Sequence, residues 1–154
     1  MRIAVGSDHA AFDMKDPIVA FIRSLGHEVI DLGTNSDDRV DYPDYADLVA
    51  RRVAAGEADR GVLLCGTGIG MALTADKVPG IRAAAIQTPE FAELFRAHND
   101  GNVICLSGRF VSLETNEAVV RAFLETEHEG GRHALRVEKI MREDDPSFEG
   151  VQLG

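Results

Sequence analysis

The segment Cys65-Gly66-Thr67-Gly68-Ile69-Gly70-Met71 joins a thiol to three glycines at alternate positions, and three glycine-loop chemistries can be tested against it. A dinucleotide fingerprint of the form Gly-x-Gly-x-x-Gly would need glycine at 71 and an acidic residue closing the next strand, where Met71 and Gln87 stand. A nucleotide-triphosphate loop would need Gly-Lys-Ser/Thr, and the nearest lysine, Lys77, is too far along. A cysteine phosphatase of the Cys-x5-Arg type would need arginine at 71. What remains is a run of backbone amides at a helix start, a geometry suited to an anion or a developing oxyanion. Cys65 itself has two readings. Cysteine is often simply buried, but glycine amides and a helix N-terminus favour the thiolate, which could serve as base or nucleophile. Cys105, in the apolar run Val103-Ile104-Cys105-Leu106, reads as core.

Two further clusters could do chemistry. Arg96-Ala97-His98-Asn99-Asp100-Gly101-Asn102 is a polar group between a helix and a strand; a histidine there commonly only caps the last carbonyls. In His128-Glu129-Gly130-Gly131-Arg132-His133-Ala134-Leu135-Arg136, Arg132 and Arg136 share one helical face and can aim two guanidinium forks at one anion. A solvated face is the commoner fate of such a pair.

The elements that must position these groups alternate. Short apolar or β-branched runs at 2–6, 28–32, 61–65, 81–86 and 103–107 read as strands; amphipathic stretches at 11–25, 45–55, 71–77, 90–97, 113–125 and 132–142 read as helices. That alternation predicts a three-layer α/β/α domain on a mainly parallel five-stranded, Rossmann-like sheet, with the binding crevice beyond the carboxyl ends of the strands. Ser7-Asp8-His9, Gly33-Thr34, the 66–70 loop, Gln87-Thr88 and Gly108-Arg109 fall there. Pro17 lies inside the first helical pattern, so that helix either begins late with Asp16 as its cap or bends. One domain over 1–142 is expected, followed by an acidic tail, 143–154, mobile or packed on a partner subunit.

With 16 Lys plus Arg against 26 Asp plus Glu, the 154-residue chain carries a formal charge of -10, which argues against nucleic acid as a partner. The apolar stretch at the N-terminus is too short for a signal-peptide core and no run is long enough to span a membrane, so a cytoplasmic protein with reduced thiols is expected. No His/Cys spacing resembles a zinc site, and no metal is expected.

Taken in order, Gly6-Ser7-Asp8-His9-Ala10, Asp41-Tyr42-Pro43, Cys65-Gly66-Thr67-Gly68-Ile69-Gly70, Arg82-Ala83, His98-Asn99-Asp100 with Asn102-Val103, Ser107-Gly108-Arg109 and Glu129-Gly130-Gly131-Arg132-His133 resemble one family. It is the type B ribose-5-phosphate isomerases, with the related galactose-6-phosphate isomerase subunits. The resemblance covers nearly the whole chain up to about Arg142. It implies a cofactor-independent, metal-free aldose–ketose isomerisation of a sugar phosphate through a cis-enediol, most simply ribose 5-phosphate to ribulose 5-phosphate. Tetrose 4-phosphates and allose or galactose 6-phosphate are the alternatives; a non-catalytic sugar-phosphate-binding protein is a remoter one. By the same resemblance Cys65 takes the C2 proton with help from Thr67, and His98 opens the furanose ring. Asp8 shares in binding or a proton relay near the ring oxygen and hydroxyls, and Asn99 contacts a substrate hydroxyl. The amides of Gly66, Gly68, Ile69 and Gly70 hold the enediolate oxygen. His9, Arg109, Arg132 and Arg136 grip the phosphate. The family's site lies at a dimer interface, in dimers or in tetramers built from them, so Tyr42, His98 and the C-terminal arginines are expected to serve a neighbouring subunit.

Overall fold

Successive side chains of a strand go to opposite faces, and that period divides the apolar residues of this chain into two cores. The computed structural model describes residues 1–152. The strands β1 (Arg2–Ser7), β2 (Glu28–Asp31), β3 (Arg60–Cys65), β4 (Ala83–Ala85) and β5 (Val103–Ser107) form one sheet in the order β2-β1-β3-β5-β4. Every pairing is parallel, where a mainly parallel sheet was expected. Ile3, Val5, Val62, Leu64, Ile104 and Leu106 face one layer, made by α1 (Phe12–Ser24), α4 (Pro89–Asn99) and α5 (Leu113–Glu125). Ala4, Leu63, Cys65, Val103 and Cys105 face the other, made by α2 (Tyr42–Ala54) and α3 (Ile69–Ala75). A last helix, α6 (Arg132–Met141), packs on α4 and buries only His133, while Leu135 and Ile140 stay exposed. No helix of the described residues is long and apolar enough to cross a membrane.

Several sequence boundaries shift. The second helix begins at Tyr42, not Tyr45: Asp41 takes the extended N-cap position and Pro43 fits the first turn, where its missing amide costs no hydrogen bond. The fourth strand shrinks to Ala83–Ala85, because the backbone amide of Arg82 turns to Asn102 Oδ1 (2.8 Å). Asp16 is not a cap. The first helix starts at Phe12 with Pro17 inside it, its start prepared by a single 3-10 turn, His9–Ala11, capped by the Asp8 carboxylate. The tail starts on its own chain: Asp144 Oδ2 accepts from the Gly80 amide (2.7 Å). Its last residues, Leu153 and Gly154, lie outside the described residues.

The end of α4 is held by charge. Asp100 closes the helix in a left-handed conformation (φ 47), and its carboxylate accepts from Arg82 Nη2 (3.0 Å) and from the buried Arg96 Nη1 (2.9 Å). Asn tolerates the same backbone but carries no charge. Asp100→Asn should therefore lower stability by about 2 kcal/mol, the usual cost of weakening hydrogen bonds to charged groups. A urea-denaturation midpoint that does not move would mean that backbone carbonyls alone hold the two arginines.

Candidate active site

The connection from β1 runs outward to β2 and then back across to β3, so the sheet has its topological switch between β1 and β3. Asp8 follows the first of these strands and Cys65 ends the other, joined by Asp8 N–H donating to Leu64 O (3.1 Å). Beyond them lies a cleft of about 250 Å³ lined by Asp8, His9, Tyr42, Cys65, Thr67 and Arg109, among others. Cys65 is 5% exposed, on the same sheet face as Cys105, and its Sγ accepts the Gly68 amide at 3.1 Å. Gly68 can present that amide because it sits at φ 80; a Cβ there would also come within 2.8 Å of the Cys105 carbonyl oxygen. Gly70 is required for a second reason: a Cβ would meet the Tyr42 ring at 2.7 Å. Thr67 Oγ1 accepts from the Ile69 amide (3.3 Å), and the Ile69 side chain points to solvent.

The cleft has a cationic and hydrogen-bonding wall. Arg109 N–H donates to Gly66 O (3.2 Å), and the side chain passes over Gly66. His9 Nδ1 lies 3.1 Å from Val40 O and 3.3 Å from the Val40 amide, which anchors the ring to that backbone and leaves Nε2 free of a protein partner among the described residues. Asp8 Oδ1 accepts from Ala10 N–H (2.9 Å). Burial, then the neighbouring Cys65, holds the Cys105 thiol well above the usual range and therefore protonated.

The remaining site residues of the sequence reading are elsewhere. Helix α4 leaves the carboxyl end of β4 and returns, so His98 and Asn99 arrive at the amino end of the sheet, where Asn102 O accepts from Gly61 N–H. From Gly61 to Cys65, four residues at about 3.3 Å each, there is roughly 13 Å of strand. One chain's His98 does not reach its own Cys65. His98 stacks on His133 with parallel rings 4.1 Å apart, and Glu129 Oε2 lies 3.9 Å from His98 Nε2 and 3.5 Å from His133 Nε2. Arg132 Nε donates to His133 Nε2 (3.3 Å), so both C-terminal arginines, on α6, belong to this second group. Asn99 lines a separate hollow of about 410 Å³ with Arg82, Phe95 and Ile140. Tyr42, expected with the interface residues, lines the cleft of its own chain, because α2 starts beside the 66–70 loop.

The family model described as Ribose/Galactose Isomerase matches residues 3–140. The chain belongs to that family. It is 50% identical over 139 residues to ribose-5-phosphate isomerase B of Escherichia coli (strain K12), covering 90% of this chain and 93% of that protein. A structure of Clostridium thermocellum ribose-5-phosphate isomerase B superposes with a TM-score of 0.92 at 45% identity, over 94% of this chain and 97% of that one. Ribose-5-phosphate isomerase B from Mycoplasma genitalium, with bound ribulose-5-phosphate, gives 0.90 at 40% identity, over 95% and 97%.

Within this isomerase family frame, two residues beside His98 went unassigned in the sequence reading. Glu129 and His133 were noticed only as part of a motif; Glu129 precedes α6, and the turn at Gly130 and Gly131, both at positive φ, brings its carboxylate beside His133. Nothing in the sequence reveals their partner, since His98 comes from a helix 31 residues earlier, joined by Glu129 N–H donating to Ala97 O and by the His128 ring.

Proposed function

We propose that the chain is an aldose–ketose isomerase that interconverts ribose 5-phosphate and ribulose 5-phosphate without a cofactor, in a cytoplasmic homodimer whose active sites each use two chains. The observation that carries this is the Cys65 thiol under the Gly68 amide, in a cleft that also holds His9 and Arg109. The relatives named for this reaction, one of them solved with bound ribulose-5-phosphate, favour the pentose. The family description also names galactose, so a hexose 6-phosphate is the second reading.

The chemistry follows from proton positions. The partner's His98 takes the anomeric hydroxyl proton and delivers it to the ring oxygen as the C1–O bond to that oxygen breaks, leaving the open-chain aldehyde. Cys65 as thiolate removes the C2 proton; the electron pair moves to C1 and its oxygen becomes the enediolate oxygen, held by amides of the 66–70 loop. Thr67 hydrogen-bonds the reacting group. The thiol returns its proton to C1 while the C2 hydroxyl proton passes to the C1 oxygen, giving the ketose. His9 and Arg109 hold the phosphate from one side, and the partner's Arg132 and Arg136 hold it from the other. Asp8, Tyr42 and the partner's Asn99 contact hydroxyls. A chain of net charge -10 can bind this anion because its cations converge locally.

The dimer is supported by exposed apolar residues on elements that flank both groups, Ile69 and Leu73 on α3 and Leu135 and Ile140 on α6. Co-expressed Cys65→Ala and His98→Asn chains test it. Each variant alone is nearly inactive on ribose 5-phosphate; a random mixture of dimers has about a quarter of its sites intact and regains that share of activity. A mixture no better than its components would put the whole site in one chain. Assays over four-, five- and six-carbon aldose phosphates decide chain length, and no turnover on any of them would favour a binding protein.

A further inference from the structure

We propose that His98, Glu129 and His133 form a binding site for a divalent transition-metal ion of the zinc class, and that its occupation withdraws His98 from catalysis. The second half rests on the isomerase reading; the first does not. Two imidazoles and one carboxylate offer one donor atom each, all within 4.8 Å of one another. Zinc takes nitrogen and oxygen ligands at about 2.0–2.2 Å in tetrahedral sites, so donor atoms there stand about 3.4 Å apart. The pair His133 Nε2 and Glu129 Oε2 is at 3.5 Å, and His98 Nε2 is 3.9 Å from the same oxygen. The contraction in distance is small; Glu129 is the exposed member that can move, with Gly130 and Gly131 following it, and the partly exposed His98 ring is the one that can turn.

The main chain organises these donors before any ion arrives. Glu129 N–H donates to Ala97 O (3.0 Å), which ties the carboxylate to the end of α4, and His133 N–H donates to Gly130 O (3.0 Å). His133 is buried and both imidazoles lie beside one carboxylate; because the stacked rings are parallel, the partly exposed His98 ring must turn out of the stack to aim its Nε2 at the ion. Imidazole with one carboxylate suits zinc, copper, iron and nickel better than magnesium or calcium. Three protein donors leave a fourth position for water or a substrate oxygen.

Arg132 sets the affinity. Its Nε occupies the His133 Nε2 lone pair at 3.3 Å, and the charges of Arg132 and Arg136 oppose a cation. Binding therefore requires Arg132 to swing away, and phosphate and metal compete for the arrangement of this one group. Such a site responds to free metal and is not filled permanently.

Zinc competition against a chromophoric chelator, on the purified full chain, tests binding without any activity assay. One zinc per chain is expected, weakened at least about tenfold in Glu129→Gln and in His133→Ala, since even outer partners of metal ligands commonly give about 10- to 100-fold. Cys65→Ser should bind as the parent does, and cobalt should show no thiolate charge-transfer band. Binding absent from the parent chain, or lost in Cys65→Ser and kept in Glu129→Gln, overturns the site. In the isomerase assay, zinc should inhibit the parent on ribose 5-phosphate, and Glu129→Gln, with basal activity retained, should need about tenfold more. Zinc bound at the site without inhibition overturns the second half alone.

Discussion

Cys65→Ala is expected to lower kcat/KM for ribose 5-phosphate by about 10² to 10⁴-fold, the range a positioned general base supplies. Folding should survive, because only one sulfur atom is removed from a residue at the edge of the second core. Ligand binding should survive too, since the proposed phosphate contacts, His9 and Arg109 among them, are untouched. The loss therefore falls on turnover and not on affinity for an unreactive phosphate analogue. Cys105→Ala is the control. It removes the other thiol, one that burial keeps protonated in mid-strand, and activity should stay near that of the parent. Activity retained in Cys65→Ala would remove that thiol from the mechanism; activity lost equally in both variants would point to packing between β3 and β5 in place of proton transfer.

What separates these two cysteines was visible before any coordinates. A cysteine inside Val103-Ile104-Cys105-Leu106 has apolar neighbours on both sides, and a central parallel strand buries both faces, whereas Cys65 is the last strand residue before a glycine loop. Most of the sheet was legible for the same reason, because short apolar runs between amphipathic stretches carry their own boundaries. The errors fall where one side chain outvotes the pattern. Pro43 lies ahead of the helix read over 45–55 but falls in the first turn of α2, and Pro17 is carried within a helix whose start was already made by the turn at His9. Arg82 reads as part of a strand, yet its guanidinium is drawn to Asp100 and its amide to Asn102.

The division of the site was harder to see, since residue order does not say which end of a sheet a helix terminus reaches. Cys65 ends a strand and His98 lies at the end of a helix, and in a parallel α/β sheet those two positions lie at opposite edges. That rule, applied to the motifs alone, would have separated Cys65, Thr67, Asp8 and Arg109 from His98 and Asn99. It would not have found the stacking of His98 on His133, which depends on α6 folding back against α4.

The second large effect is expected at His98, and it should depend on the form of the substrate. Ribose 5-phosphate closes its C4 hydroxyl onto C1 and exists mainly as a furanose, so an enzyme must open it before any C2 proton is accessible. Ribulose 5-phosphate has no such ring, because the oxygen that would close it is esterified. His98→Asn keeps hydrogen-bonding capacity and approximate size at a partly exposed position but cannot shuttle a proton. With ribose 5-phosphate the variant should lose about 10²-fold or more in kcat/KM, within the range for acid–base catalysis. With ribulose 5-phosphate it should stay close to the parent, since the open-chain aldose formed can leave and close in water unaided. The decisive measurement is the ratio of the two losses, with initial rates taken in both directions on one preparation. Equal losses would mean that His98 acts on binding or on the enediolate, and would assign ring opening to another group in the cleft, Asp8 first among them because it lies beside Cys65 and already positions its carboxylate through the Ala10 amide.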